Sequence, residues 1–342
     1  MKALVKTAPG VGNLAVVDMP EPEPKPDQLK IEVRVGAICA TDIHIHDDEY
    51  MNSPPMVLGH EMSGVVVKVG GEVTRFKEGD RVTSESFKRT CGQCRFCQTG
   101  LIGLCVDRDS MGVHVDGAFA QYVCQREESV HKLPDNVDFE AGSLSEPTAV
   151  AVRAMEERAS ISPQDVVLIS GPGPVGLLCL QAAKSLGATV FLAGARGDEK
   201  RLALGKKLGA DAVINVATES LDLCLERTHG LGADVVVECG GSKASLEQCI
   251  TFARKGAQLV MVGLFGREVE VNLDQAIIKE LTILPSYTYR HETWERAVRL
   301  LGEGKIKTAP LVSERFPLTE WEKAFKKVRN RQGHRILLLP VG

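Results

Sequence analysis

Seven cysteine, histidine and glutamate positions in the first third of this chain have the types and spacing to hold metal. Gly59-His60-Glu61 sets an imidazole beside a carboxylate, two strong zinc ligand types, ahead of the apolar run MSGVVVKVG. Alone, a His next to a Glu is more often a structural pair. Cys39, in ICATDIHIHDDEY, precedes it by about twenty residues. A thiolate and an imidazole separated by a loop can converge on one zinc, with a carboxylate as third ligand and an open position for water, as catalysis requires. Without such partners Cys39 would read as a small buried hydrophobe at a strand end. Further on, CGQCRFCQTGLIGLC places Cys91, Cys94, Cys97 and Cys105 at intervals of three, three and eight. Four thiols so close along the chain can wrap tetrahedrally around one Zn2+, and with no open position the site holds a loop rather than performing chemistry.

These residues need elements to carry them. KALVK (2–6) and LKIEVRV (29–35) read as strands, and the Pro-rich PEPEPKP between them can form neither a helix nor a central strand. The first third is therefore β-rich with irregular connections. From Asp165 the pattern changes: VVLIS is a buried-strand run, GPGPVG follows, and LLCLQAAKSLGA is an amphipathic helix pattern ending at Gly187. Gly171, Gly173 and Gly176, with Pro174 and Val175 between the last two, give G-x-G-x-x-G spacing. The glycines allow a tight turn and close backbone approach to a pyrophosphate, and the helix N-terminus faces its charge. TVFLAG, DAVINV, DVVVEC and QLVMVGLFG then alternate with helical segments, and Gly263 closes the last of these strands. A doubly wound parallel sheet, a Rossmann domain binding a dinucleotide, is expected over 150–285.

The GHE segment with Gly64 and Gly70 behind it, the four-cysteine lobe, and CATDIH upstream together resemble the zinc-dependent medium-chain alcohol and polyol dehydrogenases, over nearly the whole chain. That resemblance implies an α/β fold with a GroES-like catalytic domain over 1–149, completed by 286–342, and the Rossmann domain inserted between. It implies one catalytic and one structural zinc, with Cys39, His60, Glu61 and Glu146 as ligands of the first. At the last position simple alcohol dehydrogenases carry Cys, whereas the sorbitol and threonine dehydrogenase branch carries Glu, as here in LSEPTAVAV. A carboxylate is a harder, more labile ligand, so this zinc is expected to be held less tightly than the four-thiolate one. By the same resemblance Thr41 takes the alcohol proton and passes it, through the nicotinamide ribose, to His44. An alcohol reacting in a dry pocket must shed its proton to bulk water, and a hydroxyl-to-imidazole chain is a suitable conduit. His46, Asp47, Asp48 and Glu49 read as a solvated polar loop outside the site.

An NAD-type strand ends on Asp or Glu, which binds the adenosine ribose hydroxyls. Here TVFLAGARGDEKRL puts Gly194 at that position, with Arg196, Lys200 and Arg201 beyond it. Loss of the carboxylate and gain of cations favour NADP over NAD; the competing reading has Asp198 serve the ribose from a shifted loop. The sorbitol branch meets substrate hydroxyls with an Arg-Tyr pair, but here the order is Tyr289-Arg290, and a polar turn or subunit contact is the competing reading. A helix from Thr293, the FPLTEWEKAFKKV helix and the HRILLLPV strand close the catalytic domain. The remaining cysteines, Cys124, Cys179, Cys224, Cys239 and Cys249, read as buried packing residues.

Composition sets the outer bounds. The 342 residues are 44% apolar and 25% charged, with a net charge of -4 and interleaved signs. No polybasic footprint points to nucleic acid or an anionic membrane, and no stretch approaches the ~18 consecutive apolar residues of a membrane span. Ten cysteines, four of them in one metal-type cluster, suit a reducing, cytoplasmic setting. The expected protein is a zinc- and NAD(P)-dependent dehydrogenase of small-molecule secondary alcohols, a polyol or sugar alcohol first and L-threonine second, assembled as a homodimer or homotetramer. A non-catalytic zinc- and dinucleotide-binding relative is the reading from another class.

Overall fold

The computed structural model describes residues 1–340, which divide into two compact units. The first comprises Met1–Pro147, Arg290–Glu303 and the chain from Thr308 onward; the second comprises Thr148–Tyr289 and Gly304–Lys307.

In the first unit, the main sheet runs in spatial order Val130–Lys132, Arg81–Ser84, Glu61–Val69, Gln28–Ala37, Arg335–Leu339, Val312–Pro317, and Tyr122–Arg126 also pairs onto Gln28–Ala37. The central strand alternates as a half-buried strand should: Leu29, Ile31, Val33 and Val35 all face inward. With Met62, Val66, Val82, Met111 and Val123, the first three of these build one core cluster. A three-stranded sheet of Leu14–Asp18, Lys2–Lys6 and Met56–Val57 completes the β-rich part.

Register explains why distant residues meet. Ala37 pairs with Glu61 on one side and with Leu337 on the other, both antiparallel. The chain therefore leaves the central strand toward Cys39 at the place where His60 enters its strand and Arg335 begins its own. Gly64 cannot carry a side chain, because a Cβ there would lie 2.1 Å from the Glu32 carbonyl oxygen across the sheet. Gly59 has φ +91°, and a Cβ would fall 2.4 Å from the Phe119 ring, so the turn that delivers His60 requires glycine.

Ala40–His46 forms a short helix with Cys39 as N-cap in extended conformation. His46 therefore does not lie in a solvated loop, as its charged neighbours suggested. Its ring packs 6.3 Å from Trp321 and 6.2 Å from Phe325 by centroid, and Arg329 pairs with Asp47 at 2.7 Å. The apolar face of the Trp321–Arg329 helix gives His46 a partner that its local sequence does not reveal.

The second unit holds a six-stranded sheet, all parallel, in the order Ala212–Asn215, Thr189–Gly194, Val166–Ser170, Ala233–Glu238, Ala253–Met261, Thr282–Pro285. Numbered along the chain this is 3-2-1-4-5-6, the doubly wound order of dinucleotide-binding domains. The order in which strands are added reverses between Val166–Ser170 and Ala233–Glu238, where such folds bind ligands outside the carboxyl ends of the strands. The Pro174–Ser185 helix starts directly after Gly173, with proline in its first turn. Val166, Leu168, Phe191, Val236, Ile250 and Leu259 lie in one buried cluster of this unit.

The last segments differ in detail from expectation. The helix expected from Thr293 begins at His291, capped by Arg290. Val312–Pro317 is a strand, because Phe316 and Pro317 pair with Leu338 and Leu339, so the following helix starts only at Trp321 after a tight turn. Cys124, Cys179, Cys224 and Cys249 are buried, whereas Cys239 is only partly so.

Candidate zinc and dinucleotide sites

Cys39 Sγ, a nitrogen of His60 and an oxygen of Glu61 lie within 4.8 Å of one another, with His60 and Glu61 buried. Glu146 is not in that close set, but its charge acts on His60 and, with those of Glu61 and Asp42, belongs to the same buried group. Burial first, and then the charges of Glu61 and Asp42, push the Glu146 carboxyl up to about 7 against the pull of His60 and Arg335. Burial likewise drives Asp42 up to about 6, opposed mainly by His60 and by the Cys39 amide. For His60, burial favours the neutral ring, yet the hydrogen bond and charge of Cys39, with Asp42 and Glu146, hold its pKa well above the ordinary value. Four acidic groups thus face one imidazole and one guanidinium in a dry place. A thiolate, an imidazole and carboxylates short of positive charge form a donor set that suits a divalent cation such as zinc.

Two residues of this cluster were not singled out from the sequence. Asp42 Oδ2 accepts the Cys39 amide at 2.9 Å, while its Oδ1 lies 3.7 Å from His60 Nδ1. Neither Oδ1 nor Nδ1 has a hydrogen-bond partner among the described residues. A carboxylate beside the far nitrogen of a ligand histidine fixes the ring and raises its basicity. Arg335 is the second. Its Nη1 donates to both oxygens of Glu61 at 2.9 and 3.1 Å and to the Ile38 carbonyl at 3.2 Å, all buried.

Thr41 and His44 occupy the same face of the Cys39-capped helix, three residues apart. Thr41 Oγ1 lies 3.6 Å from Cys39 Sγ. His44 is partly exposed, at 38% of its side chain, and its Nδ1 lies 2.8 Å from Glu49 Oε2. The pair runs from the thiolate toward solvent.

The four thiols stand apart as a tetrahedral zinc requires. Sγ separations are 3.9 Å for Cys91–Cys97 and 3.6 Å for both Cys94–Cys97 and Cys91–Cys105, against about 3.8 Å for a tetrahedron with Zn–S bonds of about 2.3 Å. Backbone amides point at the sulfurs, Cys94 N–H to Cys91 Sγ at 3.3 Å and Cys91 N–H to Cys105 Sγ at 3.4 Å. Arg290 ties this lobe down by donating to the carbonyls of Thr99 and Gly100 at 3.3 and 3.4 Å. Tyr289 is fully buried. The sequence pair Tyr289-Arg290 is thus divided between a buried ring and a lobe tether. A third cluster, Glu85, His131 and His291, also gathers ligand-type atoms. Here Glu85 Oε1 is 2.9 Å from His131 Nε2 and 2.7 Å from His291 Nδ1. Those are hydrogen-bond lengths, shorter than the roughly 3.3 Å between N and O ligands of tetrahedral zinc.

In the second unit, Gly171 has φ +108° and its Cβ would meet the Gly240 amide at 2.7 Å; at Gly173 a Cβ would meet nothing within 4 Å, an open approach to the turn. Gly176 packs on the Gly171 carbonyl, and Pro174 and Val175 begin the helix. Gly263 abuts Glu238, whose Oε1 accepts the amides of Gly240 and Gly241 at 2.8 Å and so orders the loop after its strand. Gly194 is enclosed: a Cβ would lie 2.8 Å from Pro172 Cγ and 3.1 Å from Asp198 Cβ. Asp198 turns inward, with Oδ2 accepting the Ala195 amide at 3.1 Å and Oδ1 3.4 Å from Arg201 Nη1. Arg196 and Lys200 are exposed.

The alcohol dehydrogenase GroES-like domain family matches residues 25–135, and the zinc-binding dehydrogenase family matches residues 174–303. The sorbitol dehydrogenase of Halalkalibacterium halodurans is 40% identical over 343 residues, covering 100% of both chains. The D-arabitol-phosphate dehydrogenase of Enterococcus avium is 40% identical over 96% of this chain and 94% of its own. A zinc-binding dehydrogenase of Sinorhizobium meliloti, determined with NADP bound, superposes with a TM-score of 0.91 at 30% identity, over 99% of each chain. The sheet order, the cysteine tetrahedron and the Cys39-His60-Glu61 cluster agree with these matches: the chain belongs to the zinc-dependent medium-chain dehydrogenase family and is an oxidoreductase that passes hydride from a secondary alcohol to NAD(P)+.

Proposed function

We propose that this dehydrogenase acts on a polyol or sugar alcohol, with NADP+ preferred to NAD+ and zinc at two places. The observation that carries the reading is the buried cluster of Cys39, His60 and two carboxylates, Glu61 and Glu146. Cys39 and His60 hold the catalytic zinc, which when bound supplies Lewis-acid polarisation of the alcohol oxygen. Glu146 serves as carboxylate ligand in the resting site, while Arg335 keeps Glu61 to one side, and Asp42 orients His60. Thr41 takes the hydroxyl proton and His44 delivers it to solvent. Cys91, Cys94, Cys97 and Cys105 hold the structural zinc. Residues 1–149 with 286–342 form the catalytic domain and 150–285 the dinucleotide domain, where Gly171, Gly173, Pro174, Val175, Gly176 and Gly263 surround the pyrophosphate side and Gly194, Arg196 and Arg201 the adenosine side.

Enclosure of Gly194 and inward use of Asp198 keep both positions from serving a ribose 2'-hydroxyl, and exposed Arg196 supplies a countercharge for a 2'-phosphate. The relatives named for sorbitol and arabitol phosphate support a polyol chain, free or phosphorylated, over L-threonine. Ile277, Ile278, Ile283 and Tyr287 are exposed at the edge strand of the parallel sheet and beside it, which supports a homodimer or larger homo-oligomer. No helix among the described residues is long and apolar enough to cross a membrane, and ten free thiols support a cytoplasmic setting.

The test is a kcat/KM screen of free polyols, polyol phosphates, L-threonine and simple secondary alcohols against both cofactors, with zinc counted per chain. Turnover of L-threonine above every polyol would overturn the substrate assignment. A clear NAD+ preference would overturn the NADP assignment.

A further inference from the structure

We infer that Glu49 is a positioning residue for the proton exit: its carboxylate holds His44 Nδ1 and keeps Nε2 as the proton-accepting end of the relay. The inference rests on the assignment of His44 to that relay.

Its basis is the way the helix ends. Asp47 N–H donates to Ile43 O at 2.9 Å, Asp48 N–H to Ile45 O at 3.2 Å, and Glu49 N–H to His44 O at 2.8 Å. Asp48 takes φ +59°, the left-handed conformation that turns a chain back over its last helical turn. Glu49 is thereby folded onto the residue it contacts. Backbone and side chain both engage His44, the second through Oε2 at 2.8 Å from Nδ1. An ionised carboxylate only accepts, so Nδ1 carries the hydrogen and the neutral ring keeps its lone pair on Nε2.

Neighbouring charges have other partners. Asp42 faces His60; His46 and Asp47 face Arg329 from the Trp321–Arg329 helix; and Asp48 accepts from Asn52 Nδ2 at 3.1 Å. The Lys6 ammonium, from the N-terminal strand, donates to the carbonyls of Gly10 and Gly12. Glu49 is therefore the charge placed to act on His44. The step it serves is a proton transfer with no redox change: the Thr41 hydroxyl hands on its hydrogen and takes that of the alcohol in exchange, an N–H bond forms at Nε2 at the far end of the relay, and that proton then leaves to water. Throughout, Nδ1 keeps its hydrogen on the Glu49 side, and the carboxylate stabilises the transient imidazolium.

The experiment reads the His44 tautomer from its ring 15N shifts in zinc-loaded protein, assigned with His44→Gln, and sets it beside kcat and KM for alcohol oxidation in wild type, Glu49→Gln, Glu49→Asp and Glu49→Ala. The expected result is a ring with its hydrogen on Nδ1 in wild type and Glu49→Asp, and one that exchanges between both nitrogens in Glu49→Ala. Glu49→Gln keeps a hydrogen-bonding group but loses the charge, so kcat falls about twofold to fivefold with KM unchanged, the size an exposed charged pair allows, and Glu49→Asp recovers at least part. An unchanged tautomer in Glu49→Ala, or an unchanged kcat in Glu49→Gln, overturns the inference. If His44→Gln leaves kcat unaltered, the relay assignment itself fails, and the tautomer still decides whether Glu49 acts on the ring.

Discussion

Arg335→Met removes the one guanidinium from the buried acidic cluster while keeping a side chain of similar length. The Arg335 side chain is 5% exposed and that of Glu61 is 0% exposed, so water cannot take over the lost contacts. Deleting one partner of such a pair costs about 3–5 kcal/mol. Both tryptophans, Trp294 and Trp321, belong to the first unit, so their fluorescence during urea unfolding isolates the transition of interest. Glu61→Gln in the Arg335→Met background should regain most of the loss, which a double-mutant cycle reads as coupling. A loss below about 1 kcal/mol, or no coupling between the two substitutions, would refute the reasoning.

Asp42→Asn should lower zinc affinity at the Cys39–His60 cluster about 10–100-fold, measured by chelator competition, and leave zinc affinity at the four-cysteine cluster unchanged. Lys substituted for Ile283, 43% exposed on the edge strand, should shift mass measured by light scattering toward the monomer; an unchanged mass places the subunit contact elsewhere. The Glu85–His131–His291 triad should make stability pH-dependent in two windows. The hydrogen bond to Glu85 outweighs burial and raises His291, so its contribution is complete below the unfolded value near 6.5 and lost as pH rises through the folded one. Burial opposes ionisation of Glu85, but the two histidines hold its pKa below the usual value, so its contribution is lost only in acid. Melting temperature followed from pH 6 to 8.5 should fall more steeply in wild type than in His291→Gln, and parallel slopes would exclude the effect.

How much the sequence disclosed depended on how local each signal was. Cys91 to Cys105 span fifteen positions, so their spacing alone implies the tetrahedron that the Sγ separations describe. The Rossmann strands are continuous apolar runs bounded by glycine, and their alternation with helices implies parallel order. Arg335 was invisible because 274 positions separate it from Glu61 and only the sheet register brings them together. Asp42 reads as an ordinary acidic residue in a helix's first turn, since nothing local reveals that its carboxylate is wholly buried. The charge run after His46 misled for the opposite reason: its neighbours are polar, but Trp321 and Phe325 approach from the far end of the chain.

The enclosure of Gly194 sets a rule for anyone redesigning the cofactor site. Grafting the aspartate of an NAD-type strand onto that position would drive a side chain into Pro172 and the Asp198 turn, so the substitution suggested by aligning motifs would damage the scaffold before it altered selectivity. The route open to an engineer runs through Arg196 at the exposed tip instead, where a change of charge costs no packing, and leaves alone the Asp198–Arg201 pair, whose side chains are 15% and 16% exposed.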